Sequence, residues 1–435
     1  MIKKGKWRNW SHTAESTPNQ IIYPVSIEEI RSIVKEAKHN NKKIRVAGAS
    51  HSFTNVVKTN DILLSLDRLS GIVQLDEEAE TVEVYAGTRI FQLGKELIQK
   101  GYALENLGDI NVQSVAGAIS TGTHGTGLTF GNISTQVLEL TIVDGNGDIL
   151  LISEAANSEL FKAALVSLGL IGIIVKVKLK IIKAPVYELR VAKVPFADLL
   201  NQLEHYIHNN FHFEFFLFPY SDSVQVKTMN PSLKTPHSLT FHHYKNLLLE
   251  NYLFFAISEL SRLFPRTSKF FSRLSARGVG TSNVVSVSQN LFATPRLVKF
   301  REMEYCIPLE YAKEAILEVR AMIEEKQYQV HFPIECRTVK EDDIWLSPSY
   351  ERNSFYMAFH MYKGMPYESY FYDLELIMSK YKGRPHWGKL HSKRKEELLK
   401  LYPRLEDFLK LRLQYDSQGL FMNEYTTFLF EESGM

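Results

Sequence analysis

The sequence predicts an α+β protein built from two or three domains. A chain of 435 residues is too long to fold around one hydrophobic core. Helical and β-strand patterns are interleaved through residues 1–183, and the composition changes near Pro185. From there to about residue 380 the chain carries aromatic-rich strands and a few helices, which indicates a second mixed domain.

Elements in the first region have recognisable ends. Ser26 is a good N-cap for a helix ending at His39, and Glu29 completes a capping box. A hairpin is predicted around Asp144–Gly147, because two β-branched runs flank a turn sequence. Other predicted strands are 43–47, 61–66, 80–86 and 167–182, and other predicted helices are 90–100 and 157–166.

Predicted elements in the second region are longer and more aromatic. The helices are 197–208, 247–264 and 309–325, followed by a tail helix at 404–415. The strands are 211–219, 283–288, 300–308, 328–337 and 355–362. His205, His208 and His212 are expected to be polar surface residues, because the helical spacing breaks at Asn209 and Asn210. No metal site is predicted.

Charge and cysteine usage narrow the function classes. Lys plus Arg number 51 and Asp plus Glu number 49, so no excess of positive charge points to nucleic acid. Two cysteines and no apolar run after the basic N-terminus suggest a cytoplasmic protein without a signal peptide. No apolar stretch is long enough to span a bilayer. Residues 247–277 combine apolar and basic side chains, so they fit either peripheral membrane contact or, more simply, a buried helix.

Two small-residue turns indicate a site for a cofactor with a pyrophosphate. Arg45–Phe53 places His51 after Gly48, Ala49 and Ser50, which leave room for a bulky group. Ser114–Gly127 is rich in glycine and hydroxyl side chains, and such loops let backbone N–H groups approach phosphate closely. The patterns G-x-G-x-x-G and P-loop are absent from the sequence.

Three later segments carry polar side chains suited to catalysis. In 333–339 the β alternation places Glu335 and Arg337 on one face of a strand. His360 lies in the aromatic strand 355–362, and the segment 384–389 ends in His-Trp-Gly-Lys, with Lys389 last.

Through these two turns and three polar segments, the chain resembles the aldonolactone oxidase and alditol oxidase family of vanillyl-alcohol-oxidase-type flavoproteins. The resemblance runs from Trp7-Arg-Asn-Trp10 to Asn423-Glu-Tyr425. It implies a two-part PCMH-type FAD-binding domain over 1–183 and a cap domain over 184–400 with an antiparallel sheet flanked by helices. The segment 401–435 would return to the FAD domain.

The resemblance also implies roles for individual residues. His51 matches the histidine that holds FAD covalently, and Ser114 matches a serine that faces the substrate in alditol oxidases. The other implied FAD contacts are Gly48, Ala49, Ser50, Ser52, Phe53, Gly117, Ser120, Thr121, Gly122, His124, Gly125, Gly127, Ile173 and His386. Glu335, Arg337, His360 and Lys389 match polar residues around the flavin and substrate. One departure is the pair Ala49-Ser50, where the commoner family form has Gly or Arg.

The expected activity is oxidation of a small polyol or sugar-acid lactone by hydride transfer to FAD, with dioxygen as acceptor. Such chemistry needs a base for the substrate hydroxyl and a positive charge near the reduced flavin. Lys389 is assigned to that charge and Arg337 to orienting the substrate oxygen. His360 is the preferred base and Glu335 the anchor, and the reverse stays open. Two alternatives stay open as well: a dehydrogenase that uses a quinone or cytochrome, and a membrane-peripheral flavin-fold protein without catalysis.

Overall fold

The computed structural model describes residues 2–3, 5–236, 251–293 and 297–431. It confirms the α+β class, with three larger sheets and helices packed against them. A four-stranded sheet contains, in spatial order, Ile2–Lys3, Gln20–Ile22, Ile62–Ser65 and Ile44–Ala47. An antiparallel five-stranded sheet contains Ile149–Ser153, Val137–Asp144, Gly172–Lys180, Thr81–Tyr85 and Ile72–Asp76.

An antiparallel eight-stranded sheet forms most of the second half. Its strands in spatial order are Ser282–Val287, Val186–Pro195, Ser223–Pro231, His212–Leu217, Ile334–Val339, Ser354–Tyr362, Phe300–Pro308 and Arg384–Pro385. Two short pairs complete the strands, Trp7–Arg8 with Glu15–Ser16 and Tyr102–Ala103 with Ile182–Lys183.

Helices lie in the first half of the chain, in the second half and in the C-terminal tail. In the first half they are Ile27–His39, Ile90–Gln99, Val115–Ser120 and Ser158–Leu165. In the second half they are Phe196–Asn201, Leu203–Asn209, Phe254–Leu263, Ser268–Gly278, Gln289–Phe292, Ala312–Lys326 and Glu368–Lys380. The tail adds Lys395–Leu401, Leu405–Tyr415 and Glu424–Phe430. Short 3-10 turns lie at Asn55–Val57, Ile133–Gln136, Pro265–Thr267 and Leu309–Tyr311.

Two hydrophobic cores divide these elements. The first combines the two sheets of the N-terminal half with the tail helices, and it includes the fully buried Trp387. The second lies between the eight-stranded sheet and the helices Ala312–Lys326 and Glu368–Lys380. Phe53, which follows the His51 turn, packs in the second core although its neighbours in sequence belong to the first.

Most strong patterns are matched by the structure. Ser26 accepts the Glu29 N–H at 3.1 Å as the N-cap of Ile27–His39, and the predicted hairpin pairs Val137–Asp144 with Ile149–Ser153. The predicted strand 328–337 is too long, because regular pairing starts only at Ile334. The strands Val186–Pro195 and Ser223–Pro231 and the helix Glu368–Lys380 were not predicted.

One expectation about surface position is wrong, and one that was left open is met only in part. His212 is buried against Phe130 and Tyr187 rather than exposed, because it occupies an inward position of the eight-stranded sheet. The predicted helix 247–264 is described only from residue 251 onward, and its regular α-helix is Phe254–Leu263. That helix buries Ile257 and Ser258 but exposes several apolar side chains, so it is only partly a buried helix.

Across the part of the chain that the structure describes, every helix is either too short or too polar to cross a bilayer.

Candidate active site

A deep cleft runs between the first half of the chain and the eight-stranded sheet. Residues 44–53, the turn at 108–109 and the glycine-rich segment from Ser114 line one side. The other side carries polar residues of the eight-stranded sheet and the segment His386–Lys389. Every catalytic residue predicted from the sequence lines this cleft, namely Glu335, Arg337, His360 and Lys389.

The His51 turn is held by the N-terminal segment. Trp10 stacks on the His51 ring with centroids 5.1 Å apart, and Trp7 Nε1 donates to Ser50 Oγ at 2.9 Å. Ser50 has a φ of +56°, a left-handed conformation that glycine adopts without strain. The two tryptophans therefore brace the turn at the position where this chain departs from the commoner family form.

His51 itself is set up as a neutral imidazole. Its Nδ1 is buried and has no hydrogen-bond partner among the described residues. Burial, together with the positive charges of Lys389 and Arg89, lowers the pKa of His51 to about 4, although Glu302 opposes the shift. An uncharged ring nitrogen without a partner is a nucleophile ready to bond to another group.

The glycine-rich segment is less uniform than its sequence suggests. Ser114 caps the short helix Val115–Ser120 by accepting the Gly117 N–H, and Ser114, Gly117, Ser120, Thr121 and His124 line the cleft. Three predicted FAD contacts do not line it. Gly122 turns toward Val166 and Pro348, Gly125 borders a second cavity, and Gly127 hydrogen-bonds through its N–H to Thr338 O at 2.8 Å. Gly125 and Gly127 serve close chain packing, because a Cβ there would lie 2.4 Å and 2.3 Å from the nearest atoms. Gly122 instead provides a left-handed backbone with a φ of +68°.

The remaining predicted FAD contacts lie together. Gly48, Ala49, Ser50, His51, Ser52, Phe53, Ile173 and His386 all line the cleft. A Cβ at Gly48 would lie 2.4 Å from Ser114 Oγ, so the two turns approach each other at backbone distance. Phe53 N–H donates to Gly388 O at 2.7 Å, which ties the His51 turn to the His-Trp-Gly-Lys segment. The narrow walls of small residues and the unpartnered nitrogen of His51 fit a flat, phosphate-bearing cofactor such as FAD.

Arg337 is the centre of a buried acidic cluster. Its guanidinium donates to Asp109 and Glu335, each at 2.5 Å, and to Glu214 at 2.8 Å. These three contacts fix the guanidinium in place, and Lys227 Nζ pairs with Glu214 at 3.2 Å. Asp109 and Glu214 were not predicted, because they lie 228 and 123 residues away in sequence.

Lys389 is held by a second pair of carboxylates on the strand Phe300–Pro308. Its Nζ contacts Glu302 and lies 4.0 Å from Glu304 Oε2. Burial alone would raise the pKa of Glu302, but the charge of Lys389 outweighs it and holds the pKa at about 2. Both carboxylates are therefore ionised, and they pin the ammonium group inside the cleft.

His360 faces this pair from the neighbouring strand. Its Nδ1 lies 3.2 Å from the Pro333 carbonyl, which can only accept, so Nδ1 carries a proton. Its Nε2 lies 3.6 Å from Glu302 Oε1, on the side of the cleft. The nitrogen that can accept a substrate proton is therefore Nε2.

Among the residues that the structure describes, two groups of side chains come close enough to hold a metal ion. They are His124, Glu304 and His386, and Asp109, Glu214 and Glu335. The guanidinium of Arg337 already binds the second group. In the first, Gly388 N–H donates to His386 Nδ1 at 3.0 Å and His124 Nε2 lies 3.1 Å from Glu304.

The sequence did carry a signal for Glu302 and Glu304. They alternate with Met303 and Tyr305 in a strand whose other residues are mostly buried. Two carboxylates on one face of an otherwise apolar strand need buried cations, and Lys389 is such a cation. The C-terminal motif Asn423-Glu-Tyr425 helps to hold the segment just after the His51 turn. Asn423 Nδ2 donates to the carbonyls of Asn55, Val56 and Lys58.

Comparison with known proteins agrees with this geometry. The family model described as D-arabinono-1,4-lactone oxidase matches residues 177–429, and a model described as an FAD binding domain matches residues 18–153. The chain belongs to the D-arabinono-1,4-lactone oxidase family. The resemblance drawn from the sequence and the class of FAD-linked oxidoreductase are thereby confirmed.

Relatives of this family match the chain over nearly its whole length. An L-gulono-1,4-lactone dehydrogenase of Mycobacterium tuberculosis is 34% identical over 423 residues, covering 97% of this chain and 98% of the relative. The mouse L-gulonolactone oxidase is 33% identical and covers 98% of both chains. The crystal structure of a cholesterol oxidase from B. sterolicum superposes with a TM-score of 0.85 at 16% identity, over 99% of this chain and 97% of that one, which establishes the shared fold.

Proposed function

We propose that this protein oxidises an alcohol carbon of an aldonolactone, of the L-gulono-1,4-lactone or D-arabinono-1,4-lactone type, with FAD as cofactor and dioxygen as acceptor. The observation that carries the proposal is the convergence of Glu335, Arg337, His360 and Lys389 on one cleft lined by the two small-residue turns. The names of relatives that cover nearly the whole chain supply the substrate class. A small polyol remains the second substrate class to test.

FAD, when bound, supplies the acceptor for the hydride that leaves the substrate carbon. The protein contributes the proton transfer and the charges. His360 Nε2 takes the substrate hydroxyl proton, because its other nitrogen is already committed to the Pro333 carbonyl. Arg337, fixed by its carboxylates, orients the substrate oxygen, and Glu335 anchors a neighbouring hydroxyl. Lys389 supplies positive charge in the cleft where negative charge develops.

We further propose that His51 bonds covalently to the flavin. Support comes from its buried Nδ1 without a partner and from its neutral state near pH 7. Acid precipitation of purified protein tests the bond, and yellow colour in the pellet is the expected result. The variant His51→Ala should release all flavin to the supernatant, whereas the matched control His39→Ala, on an exposed helix end, should not. Free flavin from the unmodified protein would overturn the bond but leave the fold and the substrate class standing.

The electron acceptor needs its own test, because one relative is named a dehydrogenase and another an oxidase. Oxygen consumption with an aldonolactone is the expected result. Turnover with a soluble redox dye but without oxygen uptake would assign the protein to the dehydrogenases, with a quinone or cytochrome as acceptor.

Peripheral membrane contact through residues 247–277 is a further proposal, for which residues 247–250 lie outside the described part. Its support is a set of exposed apolar side chains beside basic ones on Phe254–Leu263 and Ser268–Gly278. The apolar ones are Leu253, Phe255, Leu260, Leu263, Phe264 and Phe270, and the basic ones are Arg266, Lys269, Arg273 and Arg277. Flotation with anionic liposomes is expected to carry the protein, and Phe264→Glu should reduce flotation. Protein that stays in the soluble fraction would remove this proposal.

We also propose the three-part division 1–183, 184–400 and 401–435. The separation of the two hydrophobic cores and the packing of the tail helices in the first core support it. Limited proteolysis that cuts preferentially near residues 184 and 400 would be the expected result, and a first cut within 1–183 would contradict the division.

A further inference from the structure

A second cavity opens from the catalytic end of the cleft. Its volume is about 970 Å³, and it meets the cleft at five residues that line both spaces, namely Asp109, Phe300, Glu335, Arg337 and His360. We call this second space the outer chamber. The proposed sugar lactone would occupy only its polar end.

The walls of the outer chamber do not suit a sugar. Beyond the shared residues, the strand Val186–Pro195, the helices Phe254–Leu263 and Ser268–Gly278, and the segment 290–293 form a mostly apolar side. The strands His212–Leu217 and Ser223–Pro231 add polar side chains, among them Glu214, Gln225 and Lys227. Representative apolar side chains are Leu189, Val191, Ile257, Phe271, Leu274 and Phe292. A hydroxyl-rich ligand gains little from such a surface, whereas an apolar chain gains about 0.8 kcal/mol for each methylene it buries.

The chamber also adjoins the exposed apolar face of the same two helices. Leu260 and Leu274 line the chamber and are still 44% and 42% exposed. Neighbouring side chains Leu263 and Phe270 are exposed outside it. These exposed apolar side chains give an apolar ligand a surface along which to enter the chamber from a lipid phase.

The polar end of the chamber supplies hydrogen-bond donors to a carbonyl oxygen. Arg337 has only donor groups, and protonated His360 donates from Nε2 after it has taken the substrate proton. A ligand with an apolar chain and a flat head carrying carbonyl oxygens would match both ends of the chamber.

We propose that the outer chamber binds a lipid-soluble quinone, which serves as an electron acceptor beside dioxygen. This inference rests on the proposed function, since the electrons come from the alcohol. The alcohol carbon loses a hydride and its hydroxyl loses a proton, so the alcohol becomes a carbonyl. The same two electrons and two protons end on the two oxygens of the quinone, which becomes a hydroquinone. Substrate and quinone occupy the polar end in turn.

The test is a binding titration of the flavin-loaded protein with a benzoquinone that carries a ten-carbon alkyl chain. The same ring without the chain and a ten-carbon alcohol serve as comparison ligands. We expect the alkyl quinone to bind at least about tenfold more tightly than either, since each buried methylene adds about fourfold. Equal affinity with and without the chain would overturn the proposal, and so would equal affinity of the alcohol and the alkyl quinone.

Two variants locate the site. Val191→Trp fills the chamber from its wall, and the matched control Arg190→Trp places the same side chain on the opposite face of the strand, where Arg190 is 64% exposed. Val191→Trp should weaken alkyl-quinone binding by about tenfold or more, while Arg190→Trp leaves it unchanged. Equal effects of the two variants would overturn the location.

Lactone oxidation with a soluble dye is measured in parallel on the same samples. It tests the proposed function separately, because neither variant touches a residue of the cleft. If the protein oxidises the lactone but binds the quinone equally well with and without its alkyl chain, only the chamber assignment is refuted. If binding of the quinone depends on its alkyl chain but the lactone is not oxidised, the proposed substrate class is refuted instead.

Discussion

Removal of the Lys389 charge should destabilise the protein strongly, because two buried carboxylates depend on it. In Lys389→Met, Glu302 loses its contact cation and Glu304 loses a cation at 4.0 Å. A pair of unit charges at that separation attracts by about 4 kcal/mol at an effective dielectric constant of 20. Part of this gain is offset by desolvation, and cutting one partner from a buried pair typically costs about 3–5 kcal/mol. We expect a loss of that size at pH 7, measured as the free energy of unfolding in urea.

The double variant Lys389→Met/Glu302→Gln separates stability from chemistry. With Glu302 neutral, about half of the lost stability should return, leaving a deficit of about 1.5–2.5 kcal/mol from Glu304 and packing. Lactone turnover should stay reduced by about a hundredfold or more in both variants, because the positive charge in the cleft is missing from both.

The same ion pair should make the free energy of unfolding depend on pH. The pKa of Glu302 is about 2 in the folded protein against 4.5 in the unfolded chain, so the carboxylate adds stability above pH 4.5 and loses it as the pH falls toward 2. In Lys389→Met the carboxylate lacks this partner, so the gap to the unmodified protein should shrink below pH 4.5. A loss under about 1 kcal/mol at pH 7, or turnover restored in the double variant, would refute the reasoning.

Three further predictions test other parts of the account. Gly48→Ala should lower flavin retention and cost about 1–3 kcal/mol of stability, because its Cβ would lie 2.4 Å from Ser114 Oγ; unchanged flavin content would contradict the close approach of the two turns. Glu335→Gln should raise KM several-fold with little change in kcat if Glu335 anchors the substrate, whereas a collapse of kcat would make it the base. Burial lowers the pKa of His331 to about 3 from 6.5, so its neutral form stabilises the fold above pH 6.5 and this contribution is lost as the pH falls. His331→Gln should reduce the pH slope of the urea midpoint between pH 6.5 and 4, and an unchanged slope would exclude His331 as the cause.

The sequence predicted which polar residues line the cleft better than it predicted the groups that hold them. Alternation was enough to place Glu335 and Arg337 on one face, and the structure joins them at 2.5 Å. The partners Asp109 and Glu214 come from distant segments, and one sequence contains no signal for which distant carboxylates will meet. The ion pair of Glu302 could have been predicted, since a carboxylate in a buried strand needs a cation beside it.

Glycine positions were the weakest part of the sequence prediction. Gly117 lines the cleft as expected, but Gly122 and Gly127 do not. Gly122 provides a turn with a φ of +68°, and Gly127 passes close to the carbonyl oxygen of Phe211. A glycine in a loop has the same appearance in a sequence whether a ligand or another chain segment passes beside it. The sequence left open whether the helix around Phe254–Leu263 is buried or contacts a membrane, because a helix rich in Leu and Phe fits both; the structure leaves several of its apolar side chains exposed.

The central claim is that the cleft oxidises an aldonolactone through FAD, and anaerobic mixing of flavin-loaded protein with L-gulono-1,4-lactone or D-arabinono-1,4-lactone tests it most directly. We expect rapid bleaching of the oxidised flavin absorbance with at least one of them, and bleaching slowed at least about a hundredfold in His360→Ala. A flavin that stays oxidised with both lactones and with small polyols, in protein that carries its full complement of FAD, would contradict the account.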